Sequence, residues 1–108
     1  MKPLVTVICI SYNHAPFIKE ALESLFNQLY DNIEVIVADD ASSDESQAIL
    51  QSLISGKPEI QGIFHSSNSG YTQTFNEAFG LAQGKYIVDF ALDDVMLPDF
   101  ILKSISKL

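Results

Sequence analysis

Two acidic pairs, Asp39-Asp40 and Asp93-Asp94, each directly follow an apolar run with the character of a β-strand. Open α/β sheets bind ligands at the carboxyl ends of their strands, so carboxylates at two such ends predict one polar crevice. Hard divalent cations such as Mg²⁺ take one or two carboxylates together with the oxygens of a substrate phosphate. The two pairs therefore suggest a metal ion and a polar ligand held at one edge of a sheet.

Each pair also has a structural interpretation that the sequence leaves open. Asp94 could cap the turn that follows it while Asp93 is solvated, and spacing favours this no less than a metal site. An aspartate of the Asp39-Asp40 pair could accept backbone N–H bonds and cap the next helix. It could equally accept a hydrogen bond from the edge of a ligand base, although capping is the commoner role.

Five further side chains could carry chemistry or simply pack. Tyr12 could offer its aromatic face to a planar ligand or pack beside the sheet edge. His14 and His65 lack partners at metal-ligand spacing and are interpreted as loop or sheet-edge residues. The single Cys9 excludes a disulfide framework and is expected to be a small buried hydrophobe. Asp89 interrupts an apolar strand, and a buried carboxylate there would need a partner.

Short β-branched runs alternate with helical patterns along the chain. Strands are predicted at residues 4–10, 33–38, 60–65 and 86–92, and helices at about 15–28, 42–54, 71–82 and from 98 onward. Ser42 with Glu45 forms a capping-box pattern expected to open the second helix. Pro98 suits the first turn of the last helix, on which Ile101, Ile105 and Leu108 share one face. The βαβαβαβα order predicts an α/β, Rossmann-like, mostly parallel sheet flanked by helices.

Composition and charge restrict the class of protein. The 108 residues suit one globular domain that buries about two-thirds of its unfolded surface. Fourteen acidic residues against six basic ones, all lysine, give a net charge of −8, which argues against a nucleic-acid partner or attraction to anionic lipid. The first apolar run is too short for a transmembrane segment and lacks the features of a signal peptide. A cytoplasmic location is the expectation, with membrane association of the intact protein left open.

Three stretches of the chain carry a specific combination of motifs. They are VTVICISYNHAPFIKEALESLFNQLYDNIEVIVADDASSD, NSGYTQTFNEAFGLAQGKYI and ALDDVMLPDF. Together they resemble the family 2 glycosyltransferases, which are inverting enzymes of the GT-A fold. The resemblance implies that residues 1–108 form a single domain, the N-terminal nucleotide-sugar-binding portion of such an enzyme, and that the acceptor-binding part is absent.

The resemblance also implies roles for the ends of the first two strands. The backbone around Ile10 and Ser11 and the ring of Tyr12 would line the pocket for the nucleotide base. Asp40 would accept a hydrogen bond from the base, usually uracil. The parent enzyme would transfer a sugar from a nucleotide diphosphate-sugar, expected to be a UDP-sugar, to a hydroxyl of a saccharide or lipid-linked acceptor.

The segment DD-x-x-x-P corresponds to the metal-binding acidic motif of the family. By that resemblance Asp93 would lie near the ribose and the metal, and Asp94 would ligate Mg²⁺ or Mn²⁺ bridging the diphosphate. The ion would stabilise charge on the departing nucleoside diphosphate. Inversion requires a general base for the acceptor hydroxyl. No catalytic residue is identifiable in this chain, so the piece alone is expected to be inactive.

Departures from the family pattern keep an alternative open. Ala91 stands where many members have an acidic residue, Phe75 precedes Asn76 where an arginine is frequent, and family domains generally run to twice this length. The chain could instead be a non-catalytic nucleotide- or metal-binding module derived from this fold. A receiver-like signalling domain fails on spacing, because it needs its acidic pair after the first strand. An exposed apolar patch is expected on the last strand and helix.

Overall fold

A computed structural model of the protein describes residues 2–107 and shows four strands that alternate with four helices. The strands are β1 (Val5–Ser11), β2 (Ile33–Asp39), β3 (Ile60–Phe64) and β4 (Tyr86–Ala91). The helices are α1 (Ala15–Phe26), α2 (Ser46–Ile54), α3 (Tyr71–Leu81) and α4 (Phe100–Ser106). The predicted order of elements is confirmed.

The four strands form one parallel sheet in the order β3-β2-β1-β4. All seven residues of β1 are buried, because this strand lies inside the sheet and helices cover both of its faces. The fully buried Cys9 lies in β1, as expected from the sequence. Since all four strands run the same way, their carboxyl ends lie along one side of the sheet, which we call the carboxyl edge.

The helices cover the two faces of the sheet unequally. On one face α1, α2 and α4 pack through the side chains Ile18, Leu22, Leu25, Leu50 and Ile101. On the other face α3 packs over the centre of the sheet, where Ala78 and Phe75 meet Ile8 and Ile36. This asymmetry leaves the α3-side face of β4 more open than that of the inner strands. Asp89, which lies on this face, is therefore exposed.

The predicted capping box of α2 is wrong. The helix begins at Ser46, after Glu45, and Ser42 is bonded instead to the end of β2. The Ser42 hydroxyl donates to Asp39 Oδ1 at 2.5 Å, and its N–H donates to Asp39 Oδ2 at 2.9 Å. Asp44 takes over at the start of the helix, where its Oδ1 accepts from the N–H of Ser46 at 2.9 Å. Bonds from Ser42 to Asp39, which lies outside the helix, thus delay its start by several residues.

The last helix also begins later than expected. Its first residue is Phe100, so Pro98 precedes the helix rather than entering its first turn. The carbonyl of Pro98 accepts from the N–H of Leu29 at 2.9 Å, which ties this segment to the end of α1. Ile101 and Ile105 pack on the core as the shared face predicts, whereas Leu108 lies outside the described residues.

A polar contact fixes the turn that leads into β4. Thr6, buried in β1, donates from its hydroxyl to Glu34 Oε1 at 2.6 Å and accepts from the N–H of Gly84 at 2.9 Å. The same oxygen of Glu34 accepts from the N–H of Gln83 at 2.8 Å. A Cβ at Gly84 would lie 2.4 Å from Thr6 Oγ1 and 2.6 Å from its backbone nitrogen. The close approach requires glycine at this position.

Candidate functional site

Asp39, the last residue of β2, is fully buried, and its carboxylate is satisfied within the protein. It accepts from the Ser11 hydroxyl at 2.8 Å in addition to the two bonds from Ser42. These bonds join the end of β1 to the end of β2 and to the turn that follows. Asp39 therefore has the structural role that the sequence left open, because buried polar groups must find such partners.

Two residues in left-handed conformations shape the loops after β1 and β2. Asn13 has φ 58° and Ala41 has φ 59°. Asn13 tolerates this conformation, and its Oδ1 accepts from the N–H groups of Ser43 at 2.9 Å and Asp44 at 3.3 Å. Ala41 has no such compensation from its methyl side chain. The two loops are therefore fastened to each other, and the backbone is strained at Ala41.

Asp40 lies at the carboxyl edge with only 3% of its surface exposed. Its Oδ1 accepts from the N–H of Ser69 at 2.8 Å, from the hydroxyl of Ser69 at 3.1 Å and from Nδ1 of His65 at 2.9 Å. Its Oδ2 accepts from the N–H of Gly70 at 2.8 Å. Burial alone would raise the pKa of Asp40, but these hydrogen bonds outweigh it and lower the pKa to about 2.

His65 follows β3 directly and bridges two carboxylates. Its Nδ1 faces Asp40, and its Nε2 lies 2.7 Å from Oε1 of Glu77 on α3. Hydrogen bonds to Asp40 and then to Glu77 raise the pKa of His65 above its ordinary 6.5. We call this Asp40–His65–Glu77 arrangement the His65 bridge. Sequence reasoning missed it because the three residues come from three distant segments and show no characteristic spacing.

Ile10, Ser11 and Tyr12, the predicted base-pocket residues, also reach the carboxyl edge. The side chains of Ile10 and Ser11 are buried. Their carbonyls accept from the N–H groups of Leu92 at 3.2 Å and Asp40 at 3.0 Å. The Tyr12 side chain is 46% exposed, so its ring offers this edge an accessible aromatic surface. The structure thus brings the ends of β1, β2 and β4 together.

Asp93 and Asp94 lie in the turn directly after β4, and both are exposed. The Oδ1 atom of Asp94 accepts from the N–H of Val95 at 2.8 Å, as the capping interpretation predicts. The Asp94 side chain is otherwise exposed. Asp93 Oδ2 lies 3.7 Å from Nε2 of His14, which follows β1. Each of the two histidines therefore faces an aspartate of one of the two predicted pairs.

The acidic turn fits a metal ion that is shared with a ligand. Within residues 2–107, no three His, Cys, Asp or Glu side chains converge as a set of metal ligands. Two exposed carboxylates are nevertheless what Mg²⁺ uses when phosphate oxygens and water complete its coordination. Mn²⁺ favours the same oxygen ligands. Asp93 and Asp94 are therefore suited to a cation that arrives with a phosphorylated ligand.

Lysines are found mainly away from this edge. Lys2, Lys57 and Lys85 precede β1, β3 and β4, and so belong to the opposite side of the sheet. At the carboxyl edge lie the two histidines, His14 after β1 and His65 after β3. An anionic diphosphate placed beside Asp93 and Asp94 would meet negative charge, so a cation is required to offset the repulsion.

Asp89, whose role the sequence left open, is exposed rather than buried. It lies on the open α3-side face of β4 and accepts from the hydroxyl of Tyr71, at the start of α3. Burial first, and then this contact, raise the pKa of Tyr71 to about 12. The contact ties α3 to β4 where the helix does not cover the strand.

Exposed apolar side chains are found on the segment around α4, within the region where the sequence predicts an apolar patch. Val95, Leu97, Phe100 and Leu102 are all exposed. The large apolar side chains of β4 are half-buried or buried, so these exposed residues belong to the helix and the loop before it rather than to the strand. Among the helices described between residues 2 and 107, none has the length and apolar character needed to cross a membrane.

The sequence of this chain is similar to those of known glycosyltransferases. The family model described as Glycosyl transferase family 2 matches residues 6–108. An uncharacterized glycosyltransferase of Haemophilus influenzae is 34% identical over 98% of this chain and 33% of its own length. A putative teichuronic acid biosynthesis glycosyltransferase of Bacillus subtilis, TuaG, is 34% identical over 97% of this chain and 42% of its own length. The chain thus spans well under half of these relatives.

Solved structures share the fold. S. aureus TarS 1-349 in complex with UDP-GlcNAc superposes with a TM-score of 0.84 and 26% identity, over 95% of this chain and 30% of that one. The mannosyltransferase PcManGT from Pyrobaculum calidifontis, in complex with GDP-Man and Mn²⁺, gives a TM-score of 0.80 and 30% identity, over 88% and 29% of the two chains. The predicted Rossmann-like α/β fold, that of the GT-A enzymes, is confirmed.

Proposed function

The chain belongs to glycosyl transferase family 2, and from that premise we propose that it is the N-terminal, donor-binding part of an inverting glycosyltransferase. The parent enzyme transfers a sugar from a nucleotide diphosphate-sugar, a UDP-sugar, to an acceptor hydroxyl on a saccharide or lipid-linked molecule. The acceptor-binding part and the general base belong to a longer polypeptide. This chain supplies the site that holds the donor.

The observation that carries the proposal is the convergence of Tyr12, Asp40 and the Asp93-Asp94 turn at one carboxyl edge. An exposed aromatic ring, a carboxylate acceptor and an exposed acidic turn correspond to the base, the base edge and the diphosphate of one ligand. Relatives of the same fold have been solved with UDP-GlcNAc and with GDP-Man and Mn²⁺. That likeness supports a nucleotide-sugar as the ligand.

The base half of the proposed site is formed by the ends of β1 and β2. The ring of Tyr12 stacks on the base, an interaction that tolerates any base. The backbone around Ile10 and Ser11 lines the same pocket. Asp40 accepts a hydrogen bond from the base through Oδ2, the oxygen that accepts a single bond from the described residues 2–107. A base that presents an N–H donor at its edge, such as uracil, satisfies this acceptor.

The diphosphate half is formed by the turn after β4. Asp94, with Asp93 beside it, would hold Mg²⁺ or Mn²⁺. When bound, this ion supplies Lewis-acid stabilisation of the charge on the departing nucleoside diphosphate. In a chain with no arginine and a net charge of −8, the acidic turn depends on a cation before it can accept an anionic donor. Nucleotide binding is therefore expected to require the metal.

An NMR titration of the chain with UDP, with and without Mg²⁺, tests the proposal. Amide shifts are expected at Tyr12, Asp40 and Asp93 when both are present. Trace Mn²⁺ added with UDP is expected to broaden the Asp93 and Asp94 amides first, because paramagnetic broadening falls steeply with distance. If UDP and metal perturb none of these amides, the donor-site assignment for this chain is wrong.

A matched pair of substitutions separates a metal ligand from a general loss of charge. Asp94→Asn is expected to weaken UDP binding in Mg²⁺ by at least about tenfold, since even outer partners of a metal site are worth that much. Asp31→Asn removes the same charge at the opposite side of the sheet, where Asp31 pairs with Lys2 at 2.9 Å. The Asp31 variant should bind as the unmodified chain does, and equal losses in the two variants would contradict the assignment.

A further inference from the structure

His65 is held in place from its backbone as well as its ring. Its N–H donates to the carbonyl of Asp39 at 3.0 Å, and its own carbonyl accepts from Nε2 of Gln47 on α2 at 2.8 Å. The side chain of His65 is 16% exposed. The ring therefore lies between β2 and α3 with little freedom to turn away from either carboxylate of the His65 bridge.

The geometry of the bridge defines its protonation state. Nδ1 lies 2.9 Å from Asp40 Oδ1, and Nε2 lies 2.7 Å from Glu77 Oε1. A carboxylate oxygen only accepts, and a neutral imidazole has one donor nitrogen, so the imidazolium alone can donate to both partners. With both carboxylates ionised, two hydrogen bonds from the ring therefore require a protonated His65, a cation between two carboxylates.

The bridge determines which part of Asp40 remains available. Each carboxylate oxygen has about two acceptor sites. Within residues 2–107, Oδ1 accepts from His65 and twice from Ser69, whereas Oδ2 accepts once, from Gly70. All the spare acceptor capacity of Asp40 therefore lies on Oδ2. A rotation of the carboxylate would cost the bond from His65 and the bonds from the loop together.

We propose that His65, held at its far nitrogen by Glu77, is the positioning residue for Asp40 and presents Oδ2 to the base of the donor nucleotide. This inference rests on the proposed function, in which Asp40 is the base contact. His65 touches neither the base nor the sugar. His65 restricts the Asp40 carboxylate to one orientation. The Asp40 side chain therefore loses no further conformational entropy when the base binds.

Nucleotide affinity should depend on pH through the protonation of His65. Among the described residues, the charged groups that face the ring are Asp40 from the end of β2 and Glu77 from α3. The neutral hydroxyl of Ser69 lies 3.2 Å from Nδ1, and the amide of Gln47 on α2 contacts the backbone carbonyl of His65 rather than the ring. The raised pKa of His65 means that the bridge is complete below about pH 6.5 and is lost as pH rises through that raised pKa. Nucleotide affinity should fall over the same interval.

The test measures the affinity for UDP-glucose with Mg²⁺ between about pH 6 and about pH 8.5, since its diphosphate diester carries no proton that titrates there. Affinity of the unmodified chain should fall by about three- to tenfold, the value of one charge-assisted hydrogen bond. His65→Gln should bind weakly at both pH values with no such fall. Glu77→Gln should move the fall to lower pH.

Glu20→Gln is the matched control, because it removes an exposed glutamate from α1, away from the bridge. It should keep the pH profile of the unmodified chain. Glu77 is exposed, so its variant decides the matter if His65→Gln does not fold. The ring pKa of His65, followed by NMR in the nucleotide-free chain, should lie above 6.5 and should drop in Glu77→Gln.

The outcomes separate this inference from the proposed function. Binding with the same pH profile in the unmodified chain, His65→Gln and Glu77→Gln overturns the positioning role and leaves the donor site standing. Absence of binding at every pH overturns both. Weaker binding in His65→Gln with an unchanged pH profile would mean that the residue only stabilises the fold, and it also overturns the positioning role.

Discussion

Asp39 and Asp40 are adjacent in the chain, yet their carboxylates have different surroundings, because successive side chains of an extended segment point to opposite sides. Asp39 is enclosed by Ser11 and Ser42 and holds two strand ends together. Asp40 faces the loop at residues 65–70 and keeps acceptor capacity on one oxygen. A substitution at Asp39 should therefore reduce stability, whereas one at Asp40 should reduce both stability and ligand binding.

Ala41 is the residue where the backbone is most clearly strained. Its φ of 59° places an L-residue with a Cβ in the left-handed region. Ala41→Gly should raise the free energy of unfolding by about 0.5–1 kcal/mol, the relieved strain less the greater freedom of glycine in the unfolded chain. Urea unfolding measures the change. Ala48→Gly within α2 is the control and should lower stability by about 0.5–1 kcal/mol. Similar losses in both variants would contradict the strain at Ala41.

Sequence reasoning reached some residues of the site and not others, for physical reasons. Tyr12, Asp40 and the Asp93-Asp94 turn were predictable because each follows an apolar run that can only be a strand. The His65 bridge was not, since hydrogen bonds between β2, β3 and α3 leave no periodicity. A histidine directly after a strand, with a glutamate on the next helix, is the sole signal that the sequence offers.

At the scale of elements, hydrophobic patterns in the sequence predicted all four strands and helices, whereas contacts outside the helices shifted the starts of α2 and α4. The start of α2 moved because Ser42 bonds to Asp39 instead of to its own helix. The start of α4 moved because Pro98 is tied to the end of α1 through Leu29. Local signals for a helix terminus therefore predict a boundary only where no group outside the helix, near or distant in the chain, binds the same residues.

The turn before β4 offers a test of how firmly that strand is placed. Gly84→Ala should lower the free energy of unfolding by about 1–3 kcal/mol, because its Cβ would meet the Thr6 hydroxyl and backbone. Gly80→Ala, on α3, meets nothing within 4 Å and should be neutral or stabilising by up to about 1 kcal/mol. Urea unfolding of both variants checks this. A neutral Gly84→Ala would mean that the turn can move away from β1.

At the scale of the whole molecule, the net charge and two opposed pKa shifts determine how stability depends on pH. The net charge of −8 opposes compaction at neutral pH and diminishes as carboxylates protonate. The lowered pKa of Asp40 contributes stability that is present above pH 3.8 and is lost as pH falls towards about 2. The raised pKa of His65 contributes stability that is present below pH 6.5 and is lost above it.

The chain should therefore be most stable in mildly acidic solution, between about pH 4 and about pH 6.5. Urea midpoints at constant ionic strength should decline from about pH 5.5 to about pH 8.5, because the His65 bridge loses its proton. In Glu77→Gln the decline should be smaller. A midpoint that stays constant or rises over this interval in the unmodified chain would contradict the bridge as a source of stability.

The buried thiol of Cys9 can report local opening of the sheet. The thiol is fully enclosed at the centre of β1, and burial, with Asp89 adding to it, raises its pKa far above the ordinary value. A thiol reagent can react only during moments when the middle of the sheet opens, since the reactive thiolate does not form in the closed state. The labelling rate at Cys9 Sγ therefore measures how frequently the middle of the sheet opens. Comparing the labelling rate with and without a bound nucleotide would show whether binding at the carboxyl edge changes how frequently the middle of the sheet opens.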